Sequence, residues 1–130
     1  MSLSPRRGGC HCGAVRWEAD LPEEITAMAC NCSLCHNVGF QHVIVPKGRF
    51  RLLTDPDALT TYTFNTGVAQ HYFCKTCGVK SYYVPRSNPD GISLNLRCMD
   101  ATQFRSVTLE PFDGQNWEQN ADALSHLSQE

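Results

Sequence analysis

The sequence predicts a mainly β domain, and three observations lead there. Short stretches of alternating or β-branched and aromatic residues recur along most of the chain. Turn-forming Pro, Gly, Asn and Asp separate them. Helical periodicity is confined to the end.

Taken in order, "GAVRWEAD" alternates, with Val15 and Trp17 on one face and Arg16 and Glu18 on the other, as a half-buried strand does. "QHVIVPKGRFRLL" reads as two strands broken at Pro46 and Gly48. "LTTYTFNTG" is β-branched and aromatic and stops at Asn65-Thr66-Gly67. "VKSYYVPR" and "ISLNLRC" are two further strands, separated by "SNPDG", in which Pro-Asp-Gly is strong turn chemistry. From about Trp117, the spacing of Trp117, Ala121, Leu124 and Leu127 predicts a short C-terminal helix. No repeat, low-complexity segment or linker divides the chain, so residues 1–130 are expected to form one domain with a modest core.

Composition narrows the function classes. A formal net charge of −2 lacks the basic excess that sequence-independent nucleic-acid binding needs. Lys47, Arg49 and Arg51 alternate, and the segment after Arg105 is acidic; both read as solvated surface. "MSLSPRRGG" has no apolar run behind its arginines, and no stretch of 18 apolar residues occurs, so neither an export signal nor a membrane span is expected. The expected location is therefore cytoplasmic, where thiols stay reduced. Eight cysteines in such a chain point to metal, with zinc the first choice, rather than to a disulfide framework.

Seven of those cysteines form three clusters: Cys10-His-Cys12, Cys30-Asn-Cys32-Ser-Leu-Cys35, and Cys74-Lys-Thr-Cys77-Gly. The last has zinc-knuckle spacing, with a glycine that frees the backbone to turn toward the sulfurs. One knuckle supplies two ligands and needs two more, and Cys10 and Cys12 can complete a closed, structural four-thiolate site. Cys30, Cys32 and Cys35 are then left as three thiolates with one position open, suited to accepting a substrate sulfur. Other assignments compete: the middle cluster could pair with Cys74 and Cys77, or His11, His36 or Cys98 could close the second site. Cys98 reads as a buried small side chain, His42 and His71 as packed or hydrogen-bonded, and Tyr62, Phe64, Tyr82 and Tyr83 as core or as cleft lining. No Ser–His–Asp arrangement, phosphate loop or dinucleotide fingerprint is present.

The order Cys-x-Cys-Gly, Cys-Asn-Cys-Ser-x-Cys, Phe-Cys-x-x-Cys-Gly resembles the glutathione-dependent formaldehyde-activating enzyme family. Through "TTYTFNT", "FCKTCGV" and "PRSNPDG" the chain is most similar to its centromere protein V-like branch. The resemblance runs from about Cys10 to Trp117. It implies an Mss4-like (β-tent) fold of short antiparallel strands. It also implies two Zn2+ per chain: a structural zinc on Cys10, Cys12, Cys74 and Cys77, and a labile one on Cys30, Cys32 and Cys35 facing the substrate. The implied activity joins formaldehyde to glutathione, giving S-hydroxymethylglutathione, formally a carbon–sulfur lyase in reverse. Arg86, with Ser87 and Asn88, is the first candidate for holding the carboxylates of such a small-molecule thiol, followed by Lys47, Arg49 and Arg51. Two features depart from the family. "HNVG" follows Cys35 where relatives often carry basic residues, and the long extension that precedes this domain in centromere protein V itself is not expected here, so a chromosomal role is not expected either. A non-catalytic, zinc-stabilised protein-binding module is the rival expectation.

Overall fold

The computed structural model describes residues 3–30, 33–64, 67–112 and residue 127; for Ser33, Cys35 and His36 the description covers the backbone alone. The expected helix at 117–127 lies outside the described residues, apart from Leu127. Among the described residues there are two sheets. The smaller joins β1 (Ser4–Gly9), β2 (Arg16–Leu21) and β5 (Phe50–Leu52) in the order β1-β2-β5. The larger contains β3 (Glu24–Cys30), β4 (Gln41–Pro46), β6 (Leu59–Tyr62), β7 (Gln70–Cys74), β8 (Tyr82–Val84), β9 (Gly91–Asn95) and β10 (Ser106–Phe112), in the order β10-β3-β4-β9-β8-β7-β6. All pairings are antiparallel except β10 with β3. A mainly β fold of short strands, as expected from the sequence, is thus observed.

Alternation in β2 does what the sequence foretells. Val15, Trp17, Ala19 and Leu21 are buried, while Arg16 is exposed. "QHVIVPKGRFRLL" does break at Pro46, where one 3-10 turn (Lys47–Arg49) carries the chain from the large sheet into the small one. "SNPDG" closes the β8–β9 connection through the amide of Asn88 on Pro85 O and that of Gly91 on Asn88 O. Four strands escape the sequence reading. β1 and β10 are edge strands with little apolar alternation, β10 carrying Pro111, which only an edge tolerates. In β3, "EITAMAC", Ala and Met blur a strand whose Ile25 and Ala27 are buried. β7 is only five residues long and ends in the cysteine knuckle. A helix was not anticipated within the middle cysteine cluster, yet α1 (Ser33–Val38) stands there.

The large sheet has two distinct faces, because residues opposite one another in paired strands point to the same side. One face bears Ala27, Val43, Val45, Leu94, Ile92 and Tyr82, which pack with Trp17, Ala19 and Leu21 of the small sheet into a continuous apolar core. Trp17 anchors it: fully buried, it packs on Phe50 and donates its indole N–H to Ser81 Oγ at 3.1 Å. The other face follows the register Met28↔His42↔Asn95 and Ser93↔Tyr83↔His71↔Tyr62, with Cys30 two residues beyond Met28. Its His42, Asn95, Ser93, Tyr83 and His71 are buried as well, in a polar and aromatic layer separate from the apolar core.

Candidate metal centre and the opposite face

Four cysteines meet at one end of the core. The loop between β1 and β2 delivers Cys10 and Cys12, and the turn after β7 delivers Cys74 and Cys77; the four sulfurs lie within 4.8 Å of one another. Cys10 Sγ and Cys74 Sγ each stand 3.6 Å from Cys12 Sγ. Sulfurs placed about 2.3 Å from a tetrahedral zinc are separated by about 3.8 Å, so the donor set fits such an ion. The local chain makes this possible. Gly13 and Gly78 follow the second cysteine of each pair and take φ of 92° and 76°, a left-handed conformation that glycine adopts without penalty. Amides then point at sulfur: Val15 N–H to Cys10 Sγ at 3.3 Å, and Thr76 and Cys77 N–H to Cys74 Sγ at 3.4 and 3.5 Å. Arg16 braces the first loop by donating to Cys10 O at 2.6 Å.

These contacts sort the thiols electrostatically. The amides of Cys12 and Val79 hold the Cys77 thiol down at about 6. Those of Cys77 and Thr76 lower Cys74. For Cys12 the Ala14 amide pulls the same way, but contact with the Cys74 sulfur, burial and the Cys10 sulfur outweigh it and raise the thiol to about 11. Crowded sulfurs therefore compete for negative charge, and a divalent cation at their centre would remove the competition. Cys98 stands apart. It donates to Lys80 O at 3.8 Å, and burial, followed by the charges of Cys10 and Cys77, pushes its thiol to about 11.

Of the middle cluster, Cys30 closes β3, half-buried, on the sheet face opposite the apolar core. The backbone of Cys35 belongs to α1, while Cys32 and the side chains of Cys35 and His36 lie outside the described residues. Among the candidates for carboxylate binding, Arg86 and Ser87 are half-buried in the β8–β9 turn. Asn88 is fully buried and accepts from Ser87 Oγ at 2.7 Å. Arg51 is engaged elsewhere: its guanidinium grips Glu18 Oε1 and Asp20 Oδ1, both at 2.8 Å, joining β5 to β2. Asp20 is held below the usual carboxylate range by that hydrogen bond, and the Arg51 guanidinium is raised by the same contact. Arg51 therefore acts as a cross-strand clamp between β5 and β2.

A profile of the glutathione-dependent formaldehyde-activating enzyme family matches residues 5–117. The chain belongs to this family. A crystal structure of a Rhodobacter sphaeroides protein, a structural-genomics target, is similar to it at 31% identity and a TM-score of 0.66, over 80% of this chain and 99% of that one. The match to the formaldehyde-activating family spans all three cysteine clusters and both sheets. No helix among the described residues is long and apolar enough to cross a membrane.

One group near the face that carries Cys30 is not singled out by sequence reasoning. Lys80 is 5% exposed, with Nζ 2.7 Å from His71 Nδ1 and 4.0 and 5.0 Å from the ring centroids of Tyr83 and Phe40. Nearby, His42 Nδ1 lies 3.0 Å from Ser93 Oγ and 3.3 Å from the Tyr83 hydroxyl. The available signal was Lys80 itself, a charge set between Val79 and the strand "YYV".

Proposed function

We propose that this chain joins formaldehyde to the sulfur of glutathione, forming S-hydroxymethylglutathione, a carbon–sulfur lyase reaction run toward bond formation. One observation carries the reading beyond family membership. The four-sulfur cluster lies with the apolar core and Cys30 lies on the opposite face of the large sheet, which supports separate tasks for the two cysteine groups; Cys32 and Cys35 follow Cys30 in the sequence. Two zinc ions then have different tasks. Cys10, Cys12, Cys74 and Cys77 would close a structural site around the first. Cys30, Cys32 and Cys35 would hold the second with one position open, and zinc there would keep an incoming sulfur deprotonated.

The glutathione thiolate attacks the carbonyl carbon of formaldehyde. A carbon–sulfur bond forms, the carbonyl pair moves to oxygen, and that oxygen takes a proton. Positioning supplies most of the acceleration, because thiols add to formaldehyde readily once the two are held together. Arg86 is assigned to a glutathione carboxylate. Ser87 and Asn88 support it by fixing the turn, through the 2.7 Å hydrogen bond between them. The whole chain acts as one domain, in the cytoplasm, and "TTYTFNT", "FCKTCGV" and "PRSNPDG" favour the centromere protein V-like branch.

Calorimetric titration of the zinc-loaded protein with reduced glutathione, against S-methylglutathione, tests this. Binding that needs the free thiol and vanishes on changing Cys30, Cys32 or Cys35 to Ser is expected. Absence of binding at millimolar ligand with both metals in place would refute it and favour a protein-binding module.

A further inference from the structure

We propose that the Lys80 amine captures a small aliphatic aldehyde, formaldehyde in the first place, as a reversible carbinolamine and imine. This rests on the aldehyde half of the function proposed above, and it uses neither cysteine site. The observations that carry it are geometric. Lys80 is 5% exposed and its Nζ is 2.7 Å from His71 Nδ1. Burying a lysine is expensive, and surroundings of this kind, apolar walls beside a proton acceptor, are those that turn lysine into a nucleophile. Here the ring faces of Phe40 and Tyr83, at 5.0 and 4.0 Å, screen the amine from water while attracting its charged form, so removal of the proton falls to His71. His71 is held in place by stacking between Tyr83 (4.9 Å, 13°) and Phe64 (5.5 Å, 23°). The register puts His71 and Tyr83 on the same face of the sheet as Cys30.

The chemistry balances without an oxidant or reductant. With the shared proton on His71, Nζ carries a lone pair that attacks the aldehyde carbon. An N–C bond forms, and the carbonyl pair becomes a hydroxyl after proton transfer. Returning the His71 proton to that hydroxyl releases water and leaves the protonated imine, from which neutral His71 can take the N–H proton to give the imine; hydration reverses every step. So confined an amine admits one- or two-carbon aldehydes and excludes aromatic ones.

The chain contains three lysines, Lys47, Lys75 and Lys80, and the first two are exposed. This makes reductive trapping decisive. The full, zinc-loaded chain is incubated with formaldehyde and cyanoborohydride, without glutathione, and N-methylation is followed by peptide mass mapping. Capture predicts that Lys80 is methylated at least about tenfold faster than Lys47 or Lys75, since an activated amine outruns a solvated one. His71→Gln should bring Lys80 down to or below the rate of the exposed pair, and benzaldehyde should leave Lys80 unlabelled. Burial alone predicts the reverse order, so methylation of Lys80 after Lys47 and Lys75 would overturn the proposal. Should His71→Gln fail to fold, the order in the unaltered protein still decides. Because no thiol is present, failure here leaves the glutathione titration untouched, and failure there leaves this result standing.

Discussion

Cys12→Ser isolates what the four-sulfur cluster does for the fold. Cys12 is exposed, and an exposed substitution away from special features shifts stability by no more than about 0.5 kcal/mol. A metal held by the cluster changes that expectation. Cys12 and Cys74 are 62 residues apart, and cross-linking the chain across such an interval removes unfolded-state entropy equivalent to about 4 kcal/mol. For a 130-residue chain the unfolding entropy is about 270 cal/mol/K, so loss of the link lowers the melting temperature by about 15 °C. The assay is calorimetric melting of the unaltered protein and the variant, each with bound zinc determined, in buffer with a mild chelator. A closed four-thiolate site should survive the chelator in the unaltered chain. Three thiolates and a serine should not, and excess zinc should restore part of the difference. Melting temperatures within about 2 °C of each other under chelation would refute the reasoning, because that is the scale of an ordinary surface change.

Trp17→Phe removes the indole N–H from Ser81 Oγ inside a fully buried site and should cost about 2 kcal/mol in urea unfolding, with an unchanged denaturant slope. Arg51→Met should lower stability modestly near neutral pH. Asp20 is depressed in the folded state by Arg51, so its contribution is present above the unfolded carboxylate value of about 3.9 and lost as pH falls through the lower folded value. The stability difference between unaltered protein and variant should therefore shrink below about pH 4. Cys98, with its thiol near 11, should resist iodoacetamide at pH 8 in the zinc-loaded protein. Cys98 is half-buried rather than fully buried as the sequence suggests, and rapid alkylation mapped to it would contradict the raised thiol.

Much of the chemistry was legible because it is local. Cys-x-Cys-Gly and Cys-x-x-Cys-Gly announce themselves in a few residues, since a knuckle needs only two sulfurs, amides aimed at them and a glycine at the bend. Alternation in "GAVRWEAD" and turn chemistry in "SNPDG" are equally short-range, and β2 and the β8–β9 turn stand where those patterns put them. β1, β3, β7 and β10 were not legible. Two are edges without a buried side, one is rich in residues that also suit helices, and one merges into a knuckle. Arg51 looked like one of three equivalent basic residues until β2 and β5 paired and brought Glu18 and Asp20 to it.

By itself the sequence determined the donor types, their spacing and the mainly β character, all properties of short windows. Tertiary structure decided which knuckle meets which, and that Cys30 lies on the face away from the apolar core. It also decided that Lys80 meets His71 between two aromatic rings. Each of these depends on strand order and register, and a one-residue slip would move every side chain of a strand to the other face. No local pattern encodes that choice; it is made when both faces of the large sheet find their cover together.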